Sequence, residues 1–118
     1  MNARLEAVVR LRVRGPGGAE ADVNAVVDTG FTASLTLPPS VATALGLARQ
    51  SGGSAMLADG SVRAYGVYAA EVDWDGVWRP VLAWVVGEET LLRMGLLAGH
   101  HLGVAAVPGG AVEITPIP

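Results

Sequence analysis

Apolar and polar residues alternate along most of this chain, and the alternation is cut at short intervals by Gly, Pro and Asp-Gly. A period of two with frequent turn signals marks strands that bury one face, so the pattern predicts an all-β protein. Residues 5–13 alternate through Arg10 and Arg12 towards Arg14 and predict the first strand. Gly15-Pro16-Gly17-Gly18 reads as a turn, with residues 21–27 as the strand returning from it. Residues 35–37 form a short apolar strand stopped by Pro38-Pro39. Over residues 40–47 the period changes: Val41, Ala44 and Leu45 recur at helical spacing, Pro39-Ser40 supply a start and Gly46 an end.

Residues 50–54, Gln-Ser-Gly-Gly-Ser, read as a flexible connection. Asp59-Gly60 between Met56 and Val62, and Asp75-Gly76 between Val72 and Trp78, then predict two hairpins. Asp-Gly is favoured where both central residues of a tight turn take positive φ. Residues 81–86 predict a central apolar strand. Glu88-Glu89-Thr90 ahead of residues 91–97 predict a second short helix with acids at its positive end. Residues 102–107 and 111–114 predict a last hairpin around Pro108-Gly109-Gly110. Pro116 and Pro118 lack an N–H and keep the tail out of any central strand. No internal repeat is visible, and the 118 residues are expected to form one domain, 1–118.

Composition narrows the chemistry. Cysteine is absent, which excludes disulfides, thiolate catalysis and Cys-ligated zinc. No stretch reaches the roughly 20 apolar residues that span a bilayer, so no membrane partner is expected. Met1-Asn2-Ala3-Arg4 has no basic region leading into a leucine-rich core, so no secretory signal is expected and the location inferred is cytoplasmic. The net charge is −3 and lysine is missing. Arg10, Arg12 and Arg14 form a small stripe, but the acidic balance of the chain speaks against nucleic-acid binding.

Most other polar residues read as structural. His100 and His101 are adjacent, so on a strand they point to opposite faces and do not readily ligate one ion; no third ligand lies nearby, and no metal or other cofactor is expected. Trp74 and Trp78 flank a two-residue turn on opposite faces, which argues for packing rather than a single stacking platform. Asp59 and Asp75 are turn formers first, and Asp73 has no evident partner.

The chemically informative segment is Asp28-Thr29-Gly30, set directly after Ala25-Val26-Val27 and followed by the apolar residues 35–37. Strand, acidic loop, strand holds a carboxylate rigidly at the floor of a cleft. Gly30 permits a tight turn, and Thr29 and Thr32 offer hydroxyls to brace the loop or bond the carboxylate. Acid-driven hydrolysis needs one carboxylate to take a proton from water and another to give one to the carbonyl oxygen. The chain holds only one such loop. Read as a bare hairpin turn, Asp-Thr-Gly needs no function at all.

The order of elements around Val26-Val27-Asp28-Thr29-Gly30-Phe31-Thr32, with Ser34-Leu35-Thr36-Leu37-Pro38 after it, resembles the retropepsin-like aspartic peptidases, the single-lobe relatives of pepsin, in their small prokaryotic form. The resemblance runs from about Leu5 to Ile114. The family's second motif, two apolar residues and a Gly opening a short helix, falls on Leu91-Leu92-Arg93. Two residues depart from the pattern: Phe31 replaces a small residue, and Arg93 stands where Gly normally lets a backbone pack behind the catalytic loop. If the Arg93 guanidinium reached the carboxylates, it would favour their ionised form.

The resemblance implies a closed barrel equivalent to one pepsin-type lobe, with one or two short helices. It implies Asp28 as the catalytic residue, within an active-site loop of Thr29, Gly30, Phe31 and Thr32. Met56, Leu57, Ala58, Asp59 and Gly60 would form a flap over an extended peptide or unfolded protein substrate, and Leu91, Leu92 and Arg93 a structural support. The missing second carboxylate would come from an identical partner across a two-fold axis, with residues 5–9 and 111–114 at the dimer seam. The function implied is an aspartic endopeptidase. The alternatives are a catalytically silent dimerisation or peptide-binding module of the same fold, and a small β-barrel that binds RNA or a ligand.

Overall fold

The computed structural model describes residues 1–30, 33–56 and 58–118. In chain order the elements are β1 (Val8–Arg14), β2 (Glu20–Asp28), β3 (Leu35–Leu37), α1 (Pro39–Ala44), β4 (Ala48–Met56), β5 (Val62–Trp74), β6 (Val77–Val85), β7 (Leu91–Arg93), α2 (Met94–Leu97), β8 (His100–Val104) and β9 (Val112–Pro116). The main sheet runs β1-β2-β7-β3-β6-β5-β4, and β1 also pairs with β5. That extra pairing, Val13↔Val72 and Arg14↔Glu71, closes six of its strands into a barrel. β4 lies outside the ring, on the free edge of β5. The expected closed, mostly β barrel with two short helices is the observed architecture.

The interior follows from the alternation. Leu11 and Val13 of β1, Val72 and Trp74 of β5, and Val81, Ala83 and Val85 of β6 point inward and are buried, while their neighbours face out. β3 departs from alternation: Leu35, Thr36 and Leu37 are all buried, as in a strand covered on both faces. Leu92 and Leu96 complete the fully buried set.

On the outer surface the arginine stripe is paired with two acids. Arg10 and Arg12 pair with Asp22 at 3.2 and 3.1 Å, and Arg14 pairs with Glu71 at 3.1 Å while lying 4.1 Å over the Trp78 ring. Trp74 faces the core and Trp78 the outside, as the two-residue turn requires. Asp75 and Gly76 in that turn have φ of 54° and 78°, the expected pair of positive values.

Four expected elements differ. Residues 91–97 are not one helix: Leu91–Arg93 is a strand, and only Met94–Leu97 is helical. The three residues pair parallel with β2 and antiparallel with β3, and this two-sided pairing overrides their helix propensity. Glu88 and Glu89 therefore precede a strand, and no acidic residue lies in the first turn of α2. Residues 50–54 are no flexible connection but the middle of β4, paired with β5. Gly53 serves close approach there, since a Cβ would come within 2.8 Å of the Tyr65 hydroxyl.

The first strand begins at Val8 rather than Leu5. Asn2 folds the preceding residues into a turn: its side-chain oxygen accepts from the backbone N–H groups of Arg4 and Glu6 at 3.0 and 2.9 Å, and Leu5 takes φ of 59°. The Asp59-Gly60 turn also differs in type, because Gly60 is at φ 85° but Asp59 is not at positive φ. Met56 and Val62 do pair, with a longer loop between them.

The last hairpin, β8 with β9, is a separate two-stranded ribbon. Leu102 and Ile114 pack it on the barrel core. Among the described residues neither of its outer edges is paired with another strand.

Candidate active site

Asp28 is the last residue of β2, and its position is fixed by a strand from much later in the chain. β7 lies parallel to β2 in the register Val26↔Leu91, Val27↔Leu92, Asp28↔Arg93. The other edge of β7 pairs with β3, the strand that follows the acidic loop. The backbone N–H groups of Arg93 and Gly95 donate to the carbonyl oxygens of Ser34 and Ala33 at 3.0 and 3.1 Å. Both ends of the acidic loop are thus tied to one rigid insert, which is how a short apolar strand can orient a carboxylate it does not carry.

The Asp28 side chain is about one-third exposed (35%). One of its oxygens, Oδ1, accepts from the Gly30 N–H at 3.0 Å, closing an Asx turn. Gly30 gives room here rather than a left-handed backbone: a Cβ would lie 3.3 Å from that same oxygen, a tight approach, and its φ is not positive. The other oxygen, Oδ2, faces the Arg93 guanidinium at 4.0 Å.

Arg93 keeps regular extended backbone, φ −111° and ψ 169°. Its side chain runs inward and is 10% exposed, with Nε donating to Thr36 Oγ1 at 2.9 Å. A buried arginine requires charge and hydrogen-bond partners, and Asp28 and Thr36 supply one of each. The consequence for Asp28 is a fixed positive charge beside a carboxylate that stands open to solvent.

Thr36 is the residue of this constellation that the sequence did not single out. Its signal was a hydroxyl at the centre of Leu35-Thr36-Leu37, a position now seen to be 3% exposed. A buried polar group in an apolar strand demands a partner, but nothing in the sequence named Arg93 as that partner.

Of the remaining expected site residues, Thr29 is exposed in the turn, and Leu91 and Leu92 lie in β7 beside β2. Phe31, Thr32 and Leu57 lie outside the described residues. Met56 is at the tip of β4 and is 76% exposed, with Val62 opposite it 65% exposed, so the hairpin end presents apolar side chains to solvent. Within its turn, Asp59 accepts from the Ser61 hydroxyl at 2.6 Å and the Ser61 N–H at 2.9 Å. Those hydrogen bonds, the hydroxyl first, hold the Asp59 carboxyl below the usual aspartate range.

A cleft of about 200 Å³ opens against Thr36, Leu91 and Arg93 and is bounded on its far side by Arg63, Glu88 and Glu89. Arg63 is the second residue of β5, so the β4–β5 hairpin near its tip and the Arg93 side of the site line one depression. Among the described residues, no three of His, Cys, Asp and Glu converge as a metal-binding set, and no helix is long and apolar enough to cross a membrane.

Comparison with known proteins agrees with this geometry. Among solved structures, the chain is similar to the EIAV protease complexed with the inhibitor HBY-793, with a TM-score of 0.59 at 16% identity, over 82% of this chain and 89% of that one. At that identity the likeness establishes the fold, that of the retropepsin-like aspartic peptidases. No curated protein matches the chain. The family model described as aspartyl protease matches residues 9–101, a span that holds Asp28, Thr36 and Arg93 together with the barrel that positions them. By that match the chain belongs to the aspartyl protease family.

Proposed function

We propose that this protein is an aspartic endopeptidase that works as a homodimer, hydrolysing extended peptide segments with water activated between two Asp28 carboxylates. The observation that carries the reading is the single Asp28, held at a strand end in a barrel of retropepsin type, with its side chain about one-third exposed. One such acid cannot both accept a proton from water and donate one to the carbonyl oxygen. Two copies related by a two-fold axis can, because two adjacent carboxylates share a proton and titrate as a pair. The exposed hairpin end at Met56 and Val62 is suited to close over an apolar substrate. The surface assigned to the seam is residues 5–9 and 111–114, of which 112–114 lie on β9, whose outer edge pairs with no other strand among the described residues.

The test is hydrolysis of an unfolded polypeptide mixture between about pH 4 and 7, together with the solution mass at micromolar concentration. Cleavage that depends on Asp28 and a mass of two chains support the reading. A stable monomer, or cleavage indifferent to Asp28, ends it.

A second reading rests on Arg93. A guanidinium 4.0 Å from Asp28 supplies the positive charge that a shared proton would otherwise supply. In that reading the same dimer binds peptide without cutting it. Peptide binding without hydrolysis, unchanged in Asp28→Asn, is the outcome that favours it.

A further inference from the structure

The described side-chain hydrogen bonds between the C-terminal ribbon and the barrel converge on His100, the first residue of β8, whose side chain is only 10% exposed. Its two ring nitrogens face three groups. Nδ1 lies 3.0 Å from the Ala98 carbonyl oxygen. Nε2 lies 2.7 Å from Asp75 Oδ2, in the turn between β5 and β6, and 3.2 Å from Nε1 of Trp74, whose indole ring meets the imidazole edge-on.

These contacts are not all satisfiable in one protonation state. A carbonyl and a carboxylate are both acceptors, so meeting both requires the doubly protonated imidazolium, which has no lone pair for the indole N–H. The neutral ring with its proton on Nδ1 keeps the bond to Ala98 and accepts from Trp74, but then turns a lone pair towards the Asp75 carboxylate. Nε2 is contested between a donor and an acceptor, and the proton decides which one holds it.

We propose that His100 is a proton-operated latch: protonated, it ties the ribbon to the β5–β6 turn through Asp75; neutral, with its one proton kept on Nδ1 for Ala98, it exchanges Asp75 for the indole N–H of Trp74 and releases the Asp75 side chain. The charged groups facing the ring are Asp75 from the turn, which favours the imidazolium, and Arg79 from β6, which opposes it. α2 is Met94-Gly95-Leu96-Leu97 and the β9 residue opposite is Pro116, so neither contributes a charge.

Asp75 prevails, chiefly through its hydrogen bond and then with help from Ala98, and lifts the His100 pKa above the ordinary histidine value. A group raised in this way stabilises the fold fully below its unfolded value, and that contribution is lost as pH rises through the folded value. The latch is therefore closed in mild acid and opens towards alkaline pH. It is independent of the peptidase reading, since it involves neither Asp28 nor the cleft.

The test is a pH titration of the intact chain by nuclear magnetic resonance, following the His100 ring nitrogens and the Trp74 indole N–H. The expected result is a His100 midpoint above the ordinary histidine value, with the Trp74 signal moving at that same midpoint. Asp75→Asn should lower the midpoint, and Asn tolerates the left-handed backbone of position 75. Trp74→Phe removes the partner of the neutral form and should raise it. A midpoint at or below the ordinary value, or a Trp74 signal indifferent to it, overturns the latch; so does an Asp75→Asn variant whose midpoint does not fall. The first two readouts need only the unaltered protein, so they decide the matter even where Trp74→Phe fails to fold.

Discussion

Asp28 and Arg93 are backbone partners in a parallel ladder, and the same register sets their side chains on one face with a guanidinium nitrogen 4.0 Å from a carboxylate oxygen. The contact follows from strand pairing rather than from a flexible side chain finding a neighbour, so it is built into the floor of the cleft. Replacing Arg93 with Gly removes a positive charge from beside the carboxylate and restores the residue usual in the family. The expected outcome is higher peptidase activity or a pH optimum moved upward; a pH–rate profile identical to that of the parent excludes any influence of the guanidinium on catalysis. The same change breaks the bond to Thr36, so a loss of about 1–3 kcal/mol of stability should accompany it in denaturant unfolding.

Asp28→Asn keeps the size of the side chain and an oxygen able to accept from Gly30, but it cannot take a proton from water. Hydrolysis should fall below detection while the circular dichroism spectrum and solution mass stay those of the parent. Cleavage at a normal rate would place the chemistry elsewhere.

Leu92 is fully buried in β7, between β2 and β3. Leu92→Ala should cost about 2–5 kcal/mol, the range for a leucine truncated in a packed core. Because β7 is the insert that holds the acidic loop, peptidase activity should fall further than the loss of folded protein accounts for. Activity falling only in proportion to folded protein would show that the loop keeps its geometry without this support.

Gly15 is buried where β1 ends beneath α1, and a Cβ there would collide with the Leu45 carbonyl. Neither partner is a flexible side chain, so Gly15→Ala must displace backbone. We expect a destabilisation of about 1–3 kcal/mol, as for an overpacked core site, read as a lower denaturation midpoint.

The Asp22 carboxyl is held below the usual aspartate value, first by its hydrogen bond from Arg12 and also by the charges of Arg12 and Arg10. A depressed carboxylate contributes stability above its unfolded value, and loses it as pH falls through the folded one. Asp22→Asn should lower stability slightly in the neutral region, only slightly because the pair is exposed and screened, and leave strong acid unchanged, so the acid limb of the stability–pH curve flattens. An acid limb as steep as the parent's would show that Asp22 carries none of it.

The barrel was legible in the sequence wherever a strand buries one face, as in β1, β2 and β6. β7 was not, because Leu91-Leu92 followed by Met94 and Leu96-Leu97 is equally apolar as helix or as covered strand, and only its two partner strands decide. β4 was hidden by Gly52 and Gly53, which signal flexibility in isolation but here leave room for side chains, the Tyr65 ring at Gly53 among them. Leu5 was drawn into the first strand by its alternation, while the Asn2 side chain that curls this segment acts over too short a range for periodicity to register. Asp28 stood out through the place of its loop in the order of elements, since the tripeptide by itself reads equally as a turn. Thr36, and the direction taken by Arg93, depended on side chains meeting across strands distant in sequence.

The closing role of β7 also sets an order of assembly. A nascent chain can zip β1 to β2 as soon as both emerge, yet Asp28 stays unanchored until Leu91–Arg93 has been made and threaded between β2 and β3. Long-range parallel pairing of this kind is slow to form. The carboxylate is therefore among the last features to mature, and a truncated translation product that stops short of β7 should be inert, whatever else of the barrel it manages to fold.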